Sequence, residues 1–298
     1  MSSQEVKSPL LIVAGVHNET SLGWSAAEAW LDRDPNNHVL ATVRSEDAQE
    51  FVEAEAERLG DQVSRVVIPD WMEPSASTDL RTTLEELVGE DRRVAGVVHA
   101  IASAPLNSLY TPAHELDSSG YRDAIGATAI SLLNTVRGAR QHLVDKGGVV
   151  TFGFSEYHRV NKDYGAALST AKVALSHLVA ELAYSLGQDE PSARTAEVVT
   201  GFVPTHAARG VALGIAKARR DAGYRVRPQD LLDFFTSSSA MKAANHEEQR
   251  RNAGLIAVDF IANPMWNQTS GQRFEVNAGW SLMGQSITPP SVSRDTDD

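Results

Sequence analysis

The chain has 298 residues, a formal net charge of −12 and no cysteine. Without cysteine there is no disulfide framework, thiolate zinc site, iron–sulfur cluster or cysteine nucleophile. The acidic balance argues against a general binder of nucleic acid or anionic membrane, which needs a basic face, yet leaves room for a small anion in a local pocket.

Apolar residues make up 42% of the chain, enough for a full core. The polar start has no apolar signal core before Leu10, and no stretch approaches the ~20 apolar residues of a membrane span. A soluble, cytoplasmic protein is expected.

Short β-branched runs then alternate with amphipathic segments. Pro9–Val16 reads as a buried strand. In Ser21–Arg33, Leu22, Ala26, Ala29 and Trp30 share one helical face. His38–Val43 is a second strand and Ala48–Leu59 an acidic helix. Ser64–Ile68 is a third strand and Ser75–Leu87 a third helix. Val94–Ile101 is a fourth strand, followed by a long helix over Tyr121–Leu143. Gly148–Phe154 is a fifth strand, followed by a second long helix over Gly165–Leu186. Thr195–Val203 and Arg273–Val276 close the series as strands. Strands separated by helices of this length give right-handed parallel crossovers, so the fold class is α/β, a Rossmann-like doubly wound parallel sheet. No linker divides the chain, so residues 1–283 are expected to form one domain. Residues 204–255 break the rhythm and are expected to form a helical substrate lid. The polar tail 284–298 is expected to be disordered.

The first strand runs into a turn from Gly15 through Ser21 and Leu22 to Gly23. A glycine at the strand end turns tightly. Small residues at Ser21 and Gly23 let backbone approach a diphosphate, which the helix N-terminus favours. The plain alternative is an ordinary strand–helix turn with Ser21 as N-cap. The second strand ends without the acidic residue that would take the ribose of NAD. Arg44 stands there instead, which favours the 2′-phosphate of NADP over NAD; the alternative is a solvated charge. Asp70 and Trp71, after the third strand, are candidates to flank an adenine.

Four segments occur in an order that resembles the short-chain dehydrogenase/reductase superfamily, and specifically its divergent enoyl-acyl-carrier-protein reductase branch. They are the Gly15-to-Ser21 turn, Val98–Pro105, Val149–Leu186 and Ser270–Ser281. The resemblance covers about Leu10 to Met283. It implies NADPH, or NADH, as cofactor and reduction of the double bond of a 2-enoyl thioester, free or carrier-protein-bound. It also implies that Ala100, Ile101 and Ala102 line the cofactor as backbone, that a Tyr supports the developing enolate, and that a Lys holds the nicotinamide ribose. Lys172 takes the lysine role.

Ordinary short-chain dehydrogenases carry Tyr four residues before this Lys, and here Leu168 occupies that position. The branch's own spacing is Tyr-x6-Lys. Tyr164 precedes Lys172 by one residue more than that, and Tyr157 is a second candidate. After the sixth strand, Thr205 is the candidate for a cofactor contact, and His206 reads as a loop histidine, the alternative being a proton donor. None of the nine histidines forms a metal constellation, and no metal is expected. The resemblance further implies a homotetramer or dimer formed through the two long helices, with no nucleic-acid or membrane partner. Two other readings stand beside the enoyl reductase. One is a catalytically altered homologue that binds nucleotide or a partner protein; the other is a reductase of a ketone or imine.

Overall fold

The computed structural model describes residues 8–88, 92–154, 165–221, 223–237 and 246–279. Seven strands form one parallel sheet in the order β3-β2-β1-β4-β5-β6-β7. They are β1 (Ser8–Ala14), β2 (His38–Val43), β3 (Val63–Val67), β4 (Arg92–His99), β5 (Leu143–Phe154), β6 (Ala193–Thr200) and β7 (Gln272–Val276). The helices are α1 (Leu22–Leu31), α2 (Glu46–Leu59), α3 (Ser75–Leu87), α4 (Ser118–Ile125), α5 (Ser131–Ala139), α6 (Ala166–Gly187), α7 (His206–Asp221), α8 (Pro228–Ser237) and α9 (His246–Ala262).

Alternation along each strand feeds two cores. Leu11 and Val13 of β1, with Val39 and Ala41 of β2, face Trp24, Val52 and Phe260. Leu10, Ile12 and Leu40 face the other way, against Leu80, Leu132 and Leu175. A central parallel strand must bury both faces, which is why β1 is almost wholly apolar. On β4 the alternation slips: Val94 and Val97 share one core while Val98 joins the other. A register shift against both neighbours between these residues accounts for it.

Several boundaries differ from the sequence expectation. The helix expected over Tyr121–Leu143 is three pieces: α4, a π turn at Gly126–Ile130, and α5. β5 starts at Leu143, because even the polar Asp145–Lys146 stretch finds partners. Asp145 accepts from the Ser192 N–H and hydroxyl, and Lys146 N–H donates to Ser192 O at 2.7 Å. α2 starts at Glu46, where the Ser45 hydroxyl accepts from Ala48 N–H at 3.3 Å. β6 ends at Thr200, three residues before the expected Val203.

The stretch expected as a lid divides in two. α7 and α8 carry their own small core of Ala212, Ile215, Ala216, Val226 and Leu231. α9 is instead a scaffold helix packed against α1 and under β4, β5 and β6. A Cβ on Gly254 would sit 2.4 Å from Ser25 O, so the two helices approach backbone to backbone. Residues 246–255 therefore belong to the scaffold, whereas α7 and α8 pack on each other. The tail 284–298 lies outside the described residues. Among the described residues no helix is long and apolar enough to cross a membrane.

Candidate functional site

Strand order reverses between β1 and β4, and in an open parallel sheet that switch point leaves a crevice at the carboxyl ends of the strands. A cleft of about 700 Å³ lies there. Gly15 forms its first corner at φ +96°, and a Cβ there would stand 2.7 Å from the Ile101 side chain and 2.9 Å from Ala100 O. The chain therefore turns directly against the end of β4. Its N–H donates to the Thr42 hydroxyl at 3.3 Å.

Ser21 occupies the N-cap position of α1, but its hydroxyl does not bond the helix. It accepts from His17 N–H (3.1 Å) and Asn18 N–H (3.0 Å), so it shapes the turn ahead of the helix and leaves the first helical N–H groups facing the cleft. Gly23 does not line the cleft. A Cβ there would meet Val13 at 3.1 Å and Ala100 at 3.2 Å, so its bareness seats α1 on the sheet rather than opening backbone to a ligand.

The structure gathers the other described candidates on the cleft wall: Leu22, Arg44, Asp70, Trp71, Ala100, Ile101, Ala102, Lys172 and Thr205. Arg44 is exposed at the end of β2. Asp70 accepts from Met72 N–H at 2.8 Å and so holds its own turn, while Trp71 is mostly core. Thr205 caps α7, accepting from Ala208 N–H at 3.2 Å. His206 is the first residue of α7 rather than a loop residue, and its ring lies 4.1 Å from that of His17. Tyr157 and Tyr164 lie outside the described residues.

Lys172 projects from α6 toward the floor, and its Nζ donates to Phe152 O at 2.8 Å. Burial pulls its ammonium down to about 8, while Glu197 pulls the other way. Leu168, one turn earlier, is an apolar part of the same wall. The position where an ordinary short-chain dehydrogenase places its tyrosine therefore offers no proton.

His99 pins the end of β4. The Ser131 hydroxyl donates to Ala127 O at 2.7 Å, so it accepts from His99 Nε2–H at 2.9 Å. The network thus assigns Nδ1 as acceptor toward the Thr151 hydroxyl, 2.9 Å away, whose proton is shared with His99 O at 3.2 Å. Burial, with the Lys172 charge, holds the imidazole neutral by lowering it to about 3. Because the folded value lies below the free value of 6.5, its stabilisation is complete above pH 6.5 and drains as pH falls toward 3. Wild type should lose up to about 1.4 kcal/mol per pH unit in that window through this one group. His99→Asn should be less stable at pH 7 and show a shallower pH slope in urea melts from pH 7 to 4. Parallel slopes would refute the assignment.

Apolar side chains close the remaining walls: Leu106, Leu109, Phe154, Phe202 and Val211. α7 settles so closely on the Leu106–Leu109 turn that a Cβ on Gly214 would lie 2.5 Å from Leu106. Sequence reasoning did not single out Leu106, Leu109, Phe202 or Val211, nor His17, Ser45 or Glu197. For Glu197 a signal existed, since a lone carboxylate in the run Ala196–Thr200 is out of place in a buried strand. Among the described residues, no group of three or more His, Asp or Glu is arranged to hold a metal ion.

The sequence profile described as "Enoyl-(Acyl carrier protein) reductase" matches residues 15–281. The chain belongs to this family. Membership makes it an enoyl-reductase-type oxidoreductase with a nicotinamide cofactor. Among curated family proteins, the chain is similar to the NADH-dependent enoyl-[acyl-carrier-protein] reductase of Enterococcus faecalis. They are 27% identical over 201 residues, 67% of this chain and 76% of that protein. Among solved structures, the enoyl reductase of Aquifex aeolicus aligns with a TM-score of 0.75 at 20% identity, covering 94% of this chain and 99% of that one. The Bacillus cereus enoyl reductase, solved with NADP+ and an indole naphthyridinone, gives 0.74 at 20% identity over 93% and 98%. At these identities the structural likeness fixes the fold.

Proposed function

We propose that this chain reduces the carbon–carbon double bond of a 2-enoyl thioester with NADPH, NADH being the second choice, on a substrate free or carrier-protein-bound. The observation that carries the reading is Lys172 on the cleft floor with apolar Leu168 one turn before it. That arrangement lacks the Tyr/Lys face of a ketone reductase and keeps the cation that an enoyl reductase needs. The bound nicotinamide supplies the hydride.

The chain's own residues do the rest. Gly15, Ser21 and Leu22 present the α1 N-terminus to the diphosphate, with Gly23 seating that helix. Arg44 takes the 2′-phosphate, Asp70 and Trp71 flank the adenine, and Ala100, Ile101 and Ala102 form the backbone wall. Thr205 approaches from the cover. Lys172 holds the ribose hydroxyls and adds positive potential. Negative charge grows on the thioester oxygen as the double bond is reduced, so a preorganised donor there lowers the barrier. Tyr164 is that donor in this reading, with Tyr157 as the other candidate. Residues 1–283 form one domain working in the cytoplasm as a tetramer or dimer.

The test is an assay of enoyl-thioester reduction with both cofactors. Arg44→Ala should raise KM for NADPH about tenfold, the worth of one charge-assisted phosphate contact, and leave KM for NADH nearly unchanged. Tyr164→Phe should depress turnover. Cofactor binding by calorimetry without turnover would replace the reductase reading with a nucleotide-binding one. No binding of either cofactor would overturn the whole assignment.

A further inference from the structure

We infer that Glu197 is a positioning residue for Lys172: a carboxylate buried behind the cleft floor that keeps the lysine charged and in place. The inference rests on the reading of Lys172 as the cofactor-contacting cation.

Glu197 lies in the middle of β6, where every residue is buried, and is only 3% exposed. Among the described residues no other Asp or Glu is buried. Its neighbours Ala196 and Val198 face the core of α1 and α9, so Glu197 points to the α6 side. There the Ser176 hydroxyl donates to it at 2.6 Å. Ser176 follows Lys172 by four residues, so both stand on one face of α6. The neighbouring strand makes room. A Cβ on Gly153 would fall 1.8 Å from Glu197 Oε1, so the carboxylate occupies the space that glycine leaves empty. Gly153 follows Phe152, whose carbonyl accepts from Lys172. One glycine position thus joins the seat of the carboxylate to the anchor of the ammonium.

A carboxylate in a buried strand is costly unless partnered, and an apolar residue would fill the strand without that cost. The charged groups around it are Lys172 on α6 and Arg273 and Glu275 on β7. Arg273 Nη1 stands 3.8 Å from Glu197 Oε2, while its Nε is engaged by Glu275 at 2.8 Å. Beside Lys172, His99 is neutral and Phe152 contributes a carbonyl. Burial raises the Glu197 carboxyl, against the pull of Ser176, Arg273 and Lys172. Burial likewise brings Lys172 to about 8 with Glu197 present, leaving little margin before the ammonium is lost near neutral pH.

The test reads Lys172 directly. The pH dependence of its acylation is followed by mass spectrometry in the intact protein, without cofactor, for wild type, Glu197→Gln and Glu197→Asp. Expected is a fall of the labelling midpoint by about half a unit or more in Glu197→Gln, a roughly threefold or larger rise in labelling at pH 7. Glu197→Asp should shift the midpoint less and in the same direction. The alkaline limb of kcat/KM for enoyl-thioester reduction should move with it. If Glu197→Gln does not fold, Glu197→Asp alone decides by the same sign. An unmoved midpoint, with only a lowered melting temperature, overturns the inference and leaves Glu197 a structural carboxylate. A moved midpoint in a protein that neither binds cofactor nor reduces enoyl thioesters supports the coupling and sinks the functional reading instead.

Discussion

Replacing Lys172 with methionine should lower kcat/KM for the proposed enoyl reduction by about 10²–10³-fold, or ~3–4 kcal/mol of transition-state stabilisation. Methionine keeps an unbranched apolar stem against the α6 face and removes only the charge and its donors. Phe152 O loses its partner, but it lies at the cleft and can be met by water, so the fold should persist with a modest loss of stability. Steady-state kinetics with the enoyl thioester varied from below to above KM, together with circular dichroism to confirm folding, would decide it. A change smaller than about threefold would remove Lys172 from the chemistry. The same residue sets the alkaline limit. With its ammonium brought down to about 8, the charge is present below that pH and lost above it. Activity should therefore decline as pH rises through about 8, unless bound cofactor phosphates lift the value.

The second large effect lies away from the cleft. Arg194 is buried at the start of β6, and among the described residues no carboxylate pairs with it. Its guanidinium donates to three carbonyls: Lys146 O at 2.7 Å, Phe260 O at 2.9 Å and Ile261 O at 3.1 Å. Two of these belong to the last turn of α9, whose carbonyls carry partial negative charge and lack helical partners. The guanidinium carbon also lies 4.9 Å from the centre of the Phe260 ring. Arg194→Met strands two buried acceptors and one that is part-buried, so it should destabilise the protein by about 3–5 kcal/mol. Arg194→Lys should recover less than half of that, because a compact ammonium cannot span three divergent acceptors. Urea denaturation measures both. The surviving folded protein should keep its kcat/KM, since Arg194 is at the opposite end of β6 from the cleft. A loss under about 1 kcal/mol would show that water replaces the guanidinium at little cost.

These two residues differ in how far the sequence announced them. Lys172 stands in an alanine-rich helix that is otherwise suited to burial, and the resemblance supplied its role. Arg194 gave no signal, because its partners are 48, 66 and 67 residues away along the chain. The same division runs through the site. Gly15 and Arg44 were legible from their places at strand ends, since a doubly wound sheet puts strand ends beside its ligand. The seating of Gly23 on Val13 and Ala100 and the hydroxyl geometry of Ser21 were not legible. Each depends on which atoms of another segment stand opposite.

By itself the sequence determined the strand–helix alternation, the two-sided burial of the central strands, the tight turn at Gly15 and the cation of α6. All are written in local periodicity and in residue types at strand ends. Only the tertiary structure decided that residues 246–255 are scaffold rather than cover, that Leu168 walls the cleft, and that Glu197 stands behind Lys172 in space left by Gly153. Periodicity tells which face of a segment is buried. It does not tell what that face meets, because the partner is chosen by packing between segments far apart in the chain.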